Sequence, residues 1–284
     1  MQFSKYHGTG NDFILLDNRT GMVPVDACGA LAKDLCRRHF SIGADGIILV
    51  EPSTTRDVRF SYFNADGSVG EMCGNGIRCF AKYLHDKKIL EKEVIDVETL
   101  AGLVVPRVHF NQDVVTSVTV DMGAPILERE KIPVAGKGDN TRIPITVKGE
   151  SLEFTAVSMG NPHAVFFRDE ISVEETMNLG PVVESHPMFP NRVNVEFIRV
   201  ISPVEIDMLV YERGCGMTLA CGTGACASVV AGSLLGHLDK NKEITVHLQG
   251  GDLFITYDGS KVLMRGPSVH AFDGVMENYS LQYD

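Results

Sequence analysis

The chain writes one short device twice. Glu71 to Leu84 reads EMCGNGIRCFAKYL and Leu219 to Gly232 reads LACGTGACASVVAG, so each time a cysteine stands directly before Gly-x-Gly where a helix-like apolar pattern begins. Placing Cys73 on Cys221 sets an offset of 148 residues, at which Gly74 meets Gly222, Gly76 meets Gly224 and Asn64 meets Glu212. HGTGNDFILLD lies near SMGNPHAVFF at an offset of 150, pairing Gly10 with Gly160 and Asn11 with Asn161. RHFSIGADGIIL meets HPMFPNRVNVEF at 149, placing Phe40 on Phe189 and Asp45 on Asn194. Ordered matches at nearly constant spacing predict a duplicated domain.

The local patterns agree with a duplication. FILLD, GIILVE, VRFSYF, LVVPRVHF and VVTSVTVD alternate or run apolar like strands in the first half. RIPITV, LEFTAV, AVFF, VNVEFIRV, VEIDMLVYE, EITVHL, DLFITY and KVLMR do so in the second. Helical patterns are few: about Ala27 to His39, Asn75 to His85, Glu174 to Met177 and Thr223 to Leu235. Many strands around few helices predict an α+β fold of two antiparallel sheets, each wrapped around one helix. At 284 residues the chain is long enough for two such domains. The expected division is 1–122 and 123–266, near Gly123 and Pro125, with the tail 267–284 free to join either lobe.

Charge and cysteine usage exclude several classes. With 26 basic against 37 acidic residues the formal charge is −11, which argues against nucleic-acid or anionic-membrane partners. No apolar run approaches the ~20 residues of a membrane span. MQFSKYHGTGNDF lacks the basic-then-apolar layout of a secretion signal, and seven cysteines are an odd number, so reduced thiols in a cytoplasmic protein are expected. The spacings among Cys73, Cys79, Cys215, Cys221 and Cys226 lack the paired knuckles of structural zinc, and no HExxH is present; no metal is expected.

A cysteine at a helix start has a particular chemistry. The first backbone N–H groups of a helix lack partners and carry partial positive charge. Such a position lowers a thiol pKa and favours the nucleophilic, basic thiolate. The same N–H groups bind a carboxylate, and glycine lets it approach closely. Two equivalent thiols aimed at one carbon suit removal of a proton from one face and delivery to the other, which is racemisation or epimerisation.

NADGSVGEMCGNGIR, with Asn64-x-Asp66-Gly67-Ser68 and then Cys73-Gly74-Asn75-Gly76-x-Arg78, resembles the signature of the diaminopimelate epimerase family. KYHGTGNDF, MGNPHAVFF, NRVNVEF and YERGCGMTLACGTGACA extend the resemblance over most of the chain in the family's order. It implies two similar α+β domains related by a pseudo-twofold axis, an active-site cleft between them, and the tail returning to the first. The implied activity interconverts LL- and meso-diaminopimelate without pyridoxal phosphate, metal or other cofactor, for lysine and cell-wall precursors. A homodimer acting on this small molecule alone is implied as well.

The resemblance also implies roles. Cys73 and Cys221 are the acid/base thiols, with Cys221 the acceptor and Cys73 the donor from the LL side. The N–H groups of Gly74, Asn75, Gly222 and Thr223 hold the reacting carboxylate. His163 tunes or deprotonates Cys73, Glu212 lies by the second thiol and the substrate ammonium, and Arg213 grips a carboxylate. Asn11, Asn64, Asn161 and Asn194 read the distal end, as amides that both donate and accept. Met217, where glutamate is frequent in the family, and Cys215 are departures. Cys28, Cys36, Cys79 and Cys226 are expected to pack in apolar helix faces. The residues raise three alternatives: a proline-racemase-type enzyme, a Cys-His hydrolase using Cys73 and His163, and a dinucleotide site at Gly222-Thr223-Gly224-Ala225-Cys226-Ala227. The last is set aside because Glu243 begins a strand and no parallel βαβ context is visible.

Overall fold

A computed structural model describes residues 1–277. The final part of the tail, 278–284, lies outside the described residues. The chain forms two compact units, Met1–Val120 with the chain from Gly266 onward, and Asp121–Arg265.

Unit 1 opens with a hairpin of β1 (Gln2–Gly8) and β2 (Asn11–Asp17), then α1 (Cys28–Leu35), β3 (Gly46–Glu51), β4 (Val58–Asn64) and the short β5 (Val69–Gly70). α2 (Gly74–Asp86), β6 (Val97–Thr99), β7 (Gly102–Val104), β8 (Arg107–Asn111) and β9 (Val114–Asp121) follow. Unit 2 holds β10 (Ile143–Val147), β11 (Glu150–Ser158), β12 (Pro162–Phe167), α3 (Val173–Glu184), β13 (Asn194–Ser202), β14 (Glu205–Glu212) and the short β15 (Gly216–Met217). It continues through α4 (Gly222–Leu235), β16 (Glu243–Leu248), β17 (Gly251–Tyr257) and β18 (Val262–Gly266). β19 (Val269–Val275) then pairs antiparallel with β1 in unit 1.

The duplication is visible in the topology. Unit 1 carries the strand order β1-β2-β3-β4-β6-β7, and unit 2 the order β11-β12-β13-β14-β16-β17, with a helix between the second and third strands and another between the fourth and fifth of both runs. The sheets are mixed, which corrects the expected antiparallel arrangement: β2 pairs parallel with β3, β4 with β6, β12 with β13 and β14 with β16. Each parallel pair is joined through a helix, because strands that run the same way need a crossover rather than a turn. Strand patterns alone do not report direction.

Each unit keeps one helix almost wholly inside. Every residue of α2 from Asn75 to Leu84 is buried. In unit 2, Ala225 to Ala231 of α4 share a cluster with Val157, Val165, Ile198, Ile206, Val246, Ile255 and Met264, drawn from strands along the whole sheet. A helix that is apolar all round must lie in a core. α3 covers the opposite face through Leu179 and Val183, which pack with Ala164, Phe166, Val195 and Phe197.

α3 runs well past the expected end at Met177. Asn178-Leu179-Gly180-Pro181 reads as a stop, yet the helix continues to Glu184. Ser172 caps its start by accepting from Glu175 N at 3.1 Å. Gly180 lies hard against Tyr211, whose Cβ is 2.7 Å from where a side chain would begin. Packing overrides the local signal.

Candidate active site

Both motif cysteines are helix N-caps. Cys73 has extended φ/ψ of −138° and 118°, and its Sγ accepts from Gly76 N at 3.5 Å. Cys221 has −127° and 109°, and its Sγ accepts from Gly224 N at 3.4 Å. Sulfur stands here where Ser, Thr, Asp or Asn would ordinarily accept from the third helical N–H. The N–H groups of Gly74 and Asn75, and of Gly222 and Thr223, occupy the first two helical positions beside each sulfur, where a helix has none of its own carbonyls to offer.

Around Cys73, Asn11 Oδ1 lies 3.7 Å from the sulfur and accepts from Asn75 Nδ2 at 3.3 Å. Asp45 fixes the Asn11 amide by accepting from its Nδ2 at 2.7 Å. Asn75 Oδ1 is buried without a hydrogen-bond partner, an acceptor available at the helix start. Asn64, at the end of β4, accepts from Tyr62 OH at 2.7 Å and donates to Ser68 Oγ at 2.9 Å. The Tyr62 ring occupies the space that side chains at Gly46 and Gly70 would fill, with ring atoms 2.6 and 2.2 Å from those Cβ positions. Burial and the neighbouring Cys73 and Asp45 push the Tyr62 hydroxyl upward, so it stays protonated as a donor. Sequence reading missed Tyr62; its signal was an aromatic residue between two motif glycines.

Around Cys221, Thr223 Oγ1 is 3.5 Å from the sulfur and accepts from Asn161 Nδ2 at 3.3 Å. Asn161 Oδ1 meets His163 Nε2 at 3.0 Å, and His163 Nδ1 meets Glu196 Oε1 at 2.6 Å. His163 and Glu196 are both 0 % exposed. Glu212, at the end of β14, accepts from Thr218 Oγ1 at 2.5 Å. Burial, then the acidic neighbours Glu212 and Glu196, raise the Cys221 thiol well above its ordinary range, against the opposing bonds from Thr223 and Gly224 N, which corrects the lowering expected of a helix start.

Asn194 ties the loop after β14 to the start of β12. Its Nδ2 donates to Pro162 O at 2.9 Å and its Oδ1 accepts from Arg213 N at 3.0 Å. Arg213 is exposed, with Nη1 donating to Asn191 O at 3.2 Å. Asn11, Asn64, Cys73, Gly74 and Asn75 therefore gather within unit 1, and Asn161, His163, Asn194, Glu212, Arg213, Cys221, Gly222 and Thr223 within unit 2. Both nitrogens of His163 are engaged, so the ring's link to a thiol within unit 2 runs through Asn161 and Thr223 to Cys221. Burial pushes the thiols of Cys28, Cys36 and Cys79 up to about 11, 12 and 12, as expected of packed residues. Cys226 is buried and Cys215 exposed.

Glu196 was not singled out in the sequence. An acid in V-N-V-E-F reads as the solvent face of an alternating strand; β13 is instead buried on both faces from Asn194 to Ile198. The strand registers also adjust the repeat. His163 pairs with Asn194 as Phe13 pairs with Gly46, so the counterpart of Asn194 is Gly46 rather than Asp45, and that of Glu196 is Ile48.

β14 and β16 are parallel around α4, so the parallel βαβ context of a dinucleotide site, not visible in the sequence, is present. Glu243 still begins β16, where it pairs with Arg265 at 2.6 Å rather than closing a strand over a ribose. Among the described residues no His/Cys/Asp/Glu group is placed to hold a metal ion, and no helix is long and apolar enough to cross a membrane.

Comparison with known proteins follows the same outline. A family model described as diaminopimelate epimerase matches residues 3–128 and 155–271. A protein named diaminopimelate epimerase from Moorella thermoacetica is 52% identical over 277 residues, 96% of this chain and 98% of that one. One of the same name from Desulfitobacterium hafniense is 48% identical, covering 97% and 98%. Among solved structures, a PhzF-family phenazine biosynthesis protein from Bacillus anthracis superposes with a TM-score of 0.72 at 16% identity, covering 98% of this chain and 99% of that one. A probable proline racemase from Agrobacterium radiobacter gives 0.70 at 14%, covering 98% and 93%. At such identities the structures share the fold alone.

Proposed function

The chain belongs to the diaminopimelate epimerase family, and from that premise we propose that it epimerises diaminopimelate between the LL and meso forms by a two-thiol proton transfer. One thiol starts as thiolate and takes the α-proton; the other starts protonated and delivers to the opposite face. After turnover the two have exchanged roles, and the reverse reaction uses them in the opposite order. No electrons are transferred and the protons balance.

The observation that carries this reading is the matched pair of sulfur N-caps, 3.5 and 3.4 Å from the third N–H of two topologically equivalent helices. Negative charge accumulates on the substrate carboxylate as the α-proton leaves. The first N–H groups of α2 and α4 are the donors suited to meet it, and one preorganised donor of this kind is worth about 3–4 kcal/mol elsewhere. General acid–base help adds about 10²–10⁴-fold. Glu212, beside Cys221, orients the substrate ammonium, Arg213 takes a carboxylate, and Asn64 and Asn194 bind the distal end. Asn11 and Asn161 act nearer the thiols, because each contacts Cys73 or its counterpart helix start.

Each of the domains 1–122 and 123–266 contributes one thiol, and 267–284 is assigned to the first. A cytoplasmic homodimer serving lysine and cell-wall precursor synthesis completes the reading. The test is direct. Protein treated with a metal chelator and given no pyridoxal phosphate should convert LL-diaminopimelate to the meso form, followed by chiral chromatography. Failure of conversion, or conversion only on adding a cofactor, contradicts it.

A further inference from the structure

Behind each thiol helix the two units place different chemistry at equivalent positions. A side chain at Gly76 would begin 3.2 Å from Ile48 Cδ1; one at Gly224 would begin 2.7 Å from Glu196 Oε1. The strand registers likewise set Phe13 against His163. All four side chains are fully buried. The backbone is therefore satisfied with an apolar pair in unit 1, while unit 2 accepts the desolvation of an ionisable one. Burying such a pair is costly and brings little stability of its own.

The hydrogen-bond polarity indicates what that pair is for. Asn161 Oδ1 can only accept, so His163 Nε2, 3.0 Å away, carries a proton. With Oδ1 held there, Asn161 turns its Nδ2 to Thr223 Oγ1 at 3.3 Å. Thr223 accepts at that contact, and its own hydrogen is left for the Cys221 sulfur at 3.5 Å. The direction of the whole chain depends on which nitrogen of His163 is protonated, and the residue at Nδ1 is Glu196.

Glu196 Oε2 is buried with no hydrogen-bond partner. As a carboxylate, Glu196 would hold a bare anionic oxygen in the core. Burial, the dominant influence, pushes its carboxyl upward and Glu212 adds to that, while His163 pulls the other way. A neutral acid avoids the bare charge: its Oε1–H is donated to the Nδ1 lone pair across the 2.6 Å contact.

We propose that Glu196 is a positioning residue for the reaction: a buried protonated carboxyl that locks the Nε2–H tautomer of His163 and thereby turns Asn161 and Thr223 to donate toward Cys221. The role rests on the two-thiol reading, since it serves the thiolate that forms on Cys221. Fixing a histidine tautomer from its far nitrogen is known to be worth up to about 10⁴ in rate in the Ser-His-Asp triad. The effect here acts through two further side chains and is smaller.

The test uses the full-length protein labelled with ¹⁵N. Long-range ¹H–¹⁵N correlation reports the tautomer of His163, whose signals are identified by their loss in His163→Phe. Wild type and Glu196→Gln should both show a neutral ring protonated at Nε2, the glutamine amide N–H taking the place of the acid. Glu196→Gln should keep kcat within about threefold, whereas Glu196→Ile, which copies Ile48, should lose at least about 30-fold in kcat with KM nearly unchanged. Should Glu196→Ile fail to fold, His163→Phe/Glu196→Ile copies the whole apolar pair of unit 1 and is expected to show the same loss. An Nδ1–H ring or an imidazolium in wild type overturns the proposal. So does a folded Glu196→Ile protein with wild-type kcat. The tautomer is read without turnover, so an inactive wild type would refute the two-thiol reading and leave this result standing.

Discussion

The two thiol-bearing helix starts are alike in backbone and unlike in what lies behind them. Cys73 and Cys221 cap their helices with the same φ/ψ region and nearly the same sulfur-to-nitrogen distance. Beneath Cys73 lie Ile48 and Phe60; beneath Cys221 lie Met208 and Glu196, the latter paired with His163. The neighbouring asparagines also face in opposite senses. Asp45 holds the Asn11 amide by its nitrogen and leaves an acceptor toward Cys73, while His163 holds Asn161 by its oxygen and leaves a donor toward Thr223. Duplication supplies the symmetric part, two caps able to bear a thiol or thiolate. Divergence supplies the asymmetric part, an apolar pair behind one cap and an ionisable pair behind the other, as the proposed division of labour between the thiols requires.

The comparison breaks most easily at the sulfurs. Cys73→Ala and Cys221→Ala should each lower the rate of LL-to-meso conversion by about 10³-fold or more, in line with the loss of an acid/base group. A variant of either that stays within about tenfold of wild type would mean that the two caps do not share the work.

A smaller and more local test uses the third-position glycines. In Gly224→Ala the new methyl meets Glu196 Oε1 at 2.7 Å and Met208 Cε at 2.9 Å, whereas in Gly76→Ala its nearest neighbour is Ile48 Cδ1 at 3.2 Å. Overpacking of the first kind costs about 1–3 kcal/mol. The second is offset by the gain of about 1 kcal/mol from replacing glycine within a helix. Urea unfolding should therefore place Gly224→Ala clearly below Gly76→Ala. Equal midpoints would show that the buried acid yields as readily as the aliphatic chain.

The smallest effect is a pH dependence. Burial raises Cys28, Cys36 and Cys79 in unit 1 to about 11, 12 and 12, and raises Cys221 in unit 2. An unfolded thiol titrates near ~8.5. The native state thus keeps protons that the unfolded chain loses, so their contribution is intact below ~8.5 and declines as pH rises through the native values. The melting temperature should be lower at pH 10 than at pH 8, and less so in Cys221→Ala. A profile that is flat over that range in wild type would contradict the buried-thiol assignment.

Much of this was legible in the chain because cysteine before Gly-x-Gly is a local signal: it fixes the cap, the helix start and the close approach at once. The repeat of Cys73 at Cys221 made the duplication readable as well. Parallel pairing went unread although GIILVE is a continuous apolar run buried on both faces, because such a run marks double burial without naming the neighbour or its direction. Nor was the length of α3 readable, where contact with Tyr211 outweighs Gly180 and Pro181. Glu196 escaped for a third reason: period-2 reasoning assumes one wet face, and β13 has none over its first five residues.

The central claim, one thiol for each face, is tested most directly by turnover in deuterium oxide with configuration and isotope followed together. In the wild type, meso product should carry solvent deuterium at the inverted centre from its first appearance, because the delivering thiol exchanges with water. Cys73→Ala and Cys221→Ala should each form meso product at least about 10³-fold more slowly than wild type, and at most exchange the α-hydrogen with retention, each for a different starting configuration. Product that retains the substrate's own hydrogen, or inversion by either single variant at near wild-type rate, would contradict the account.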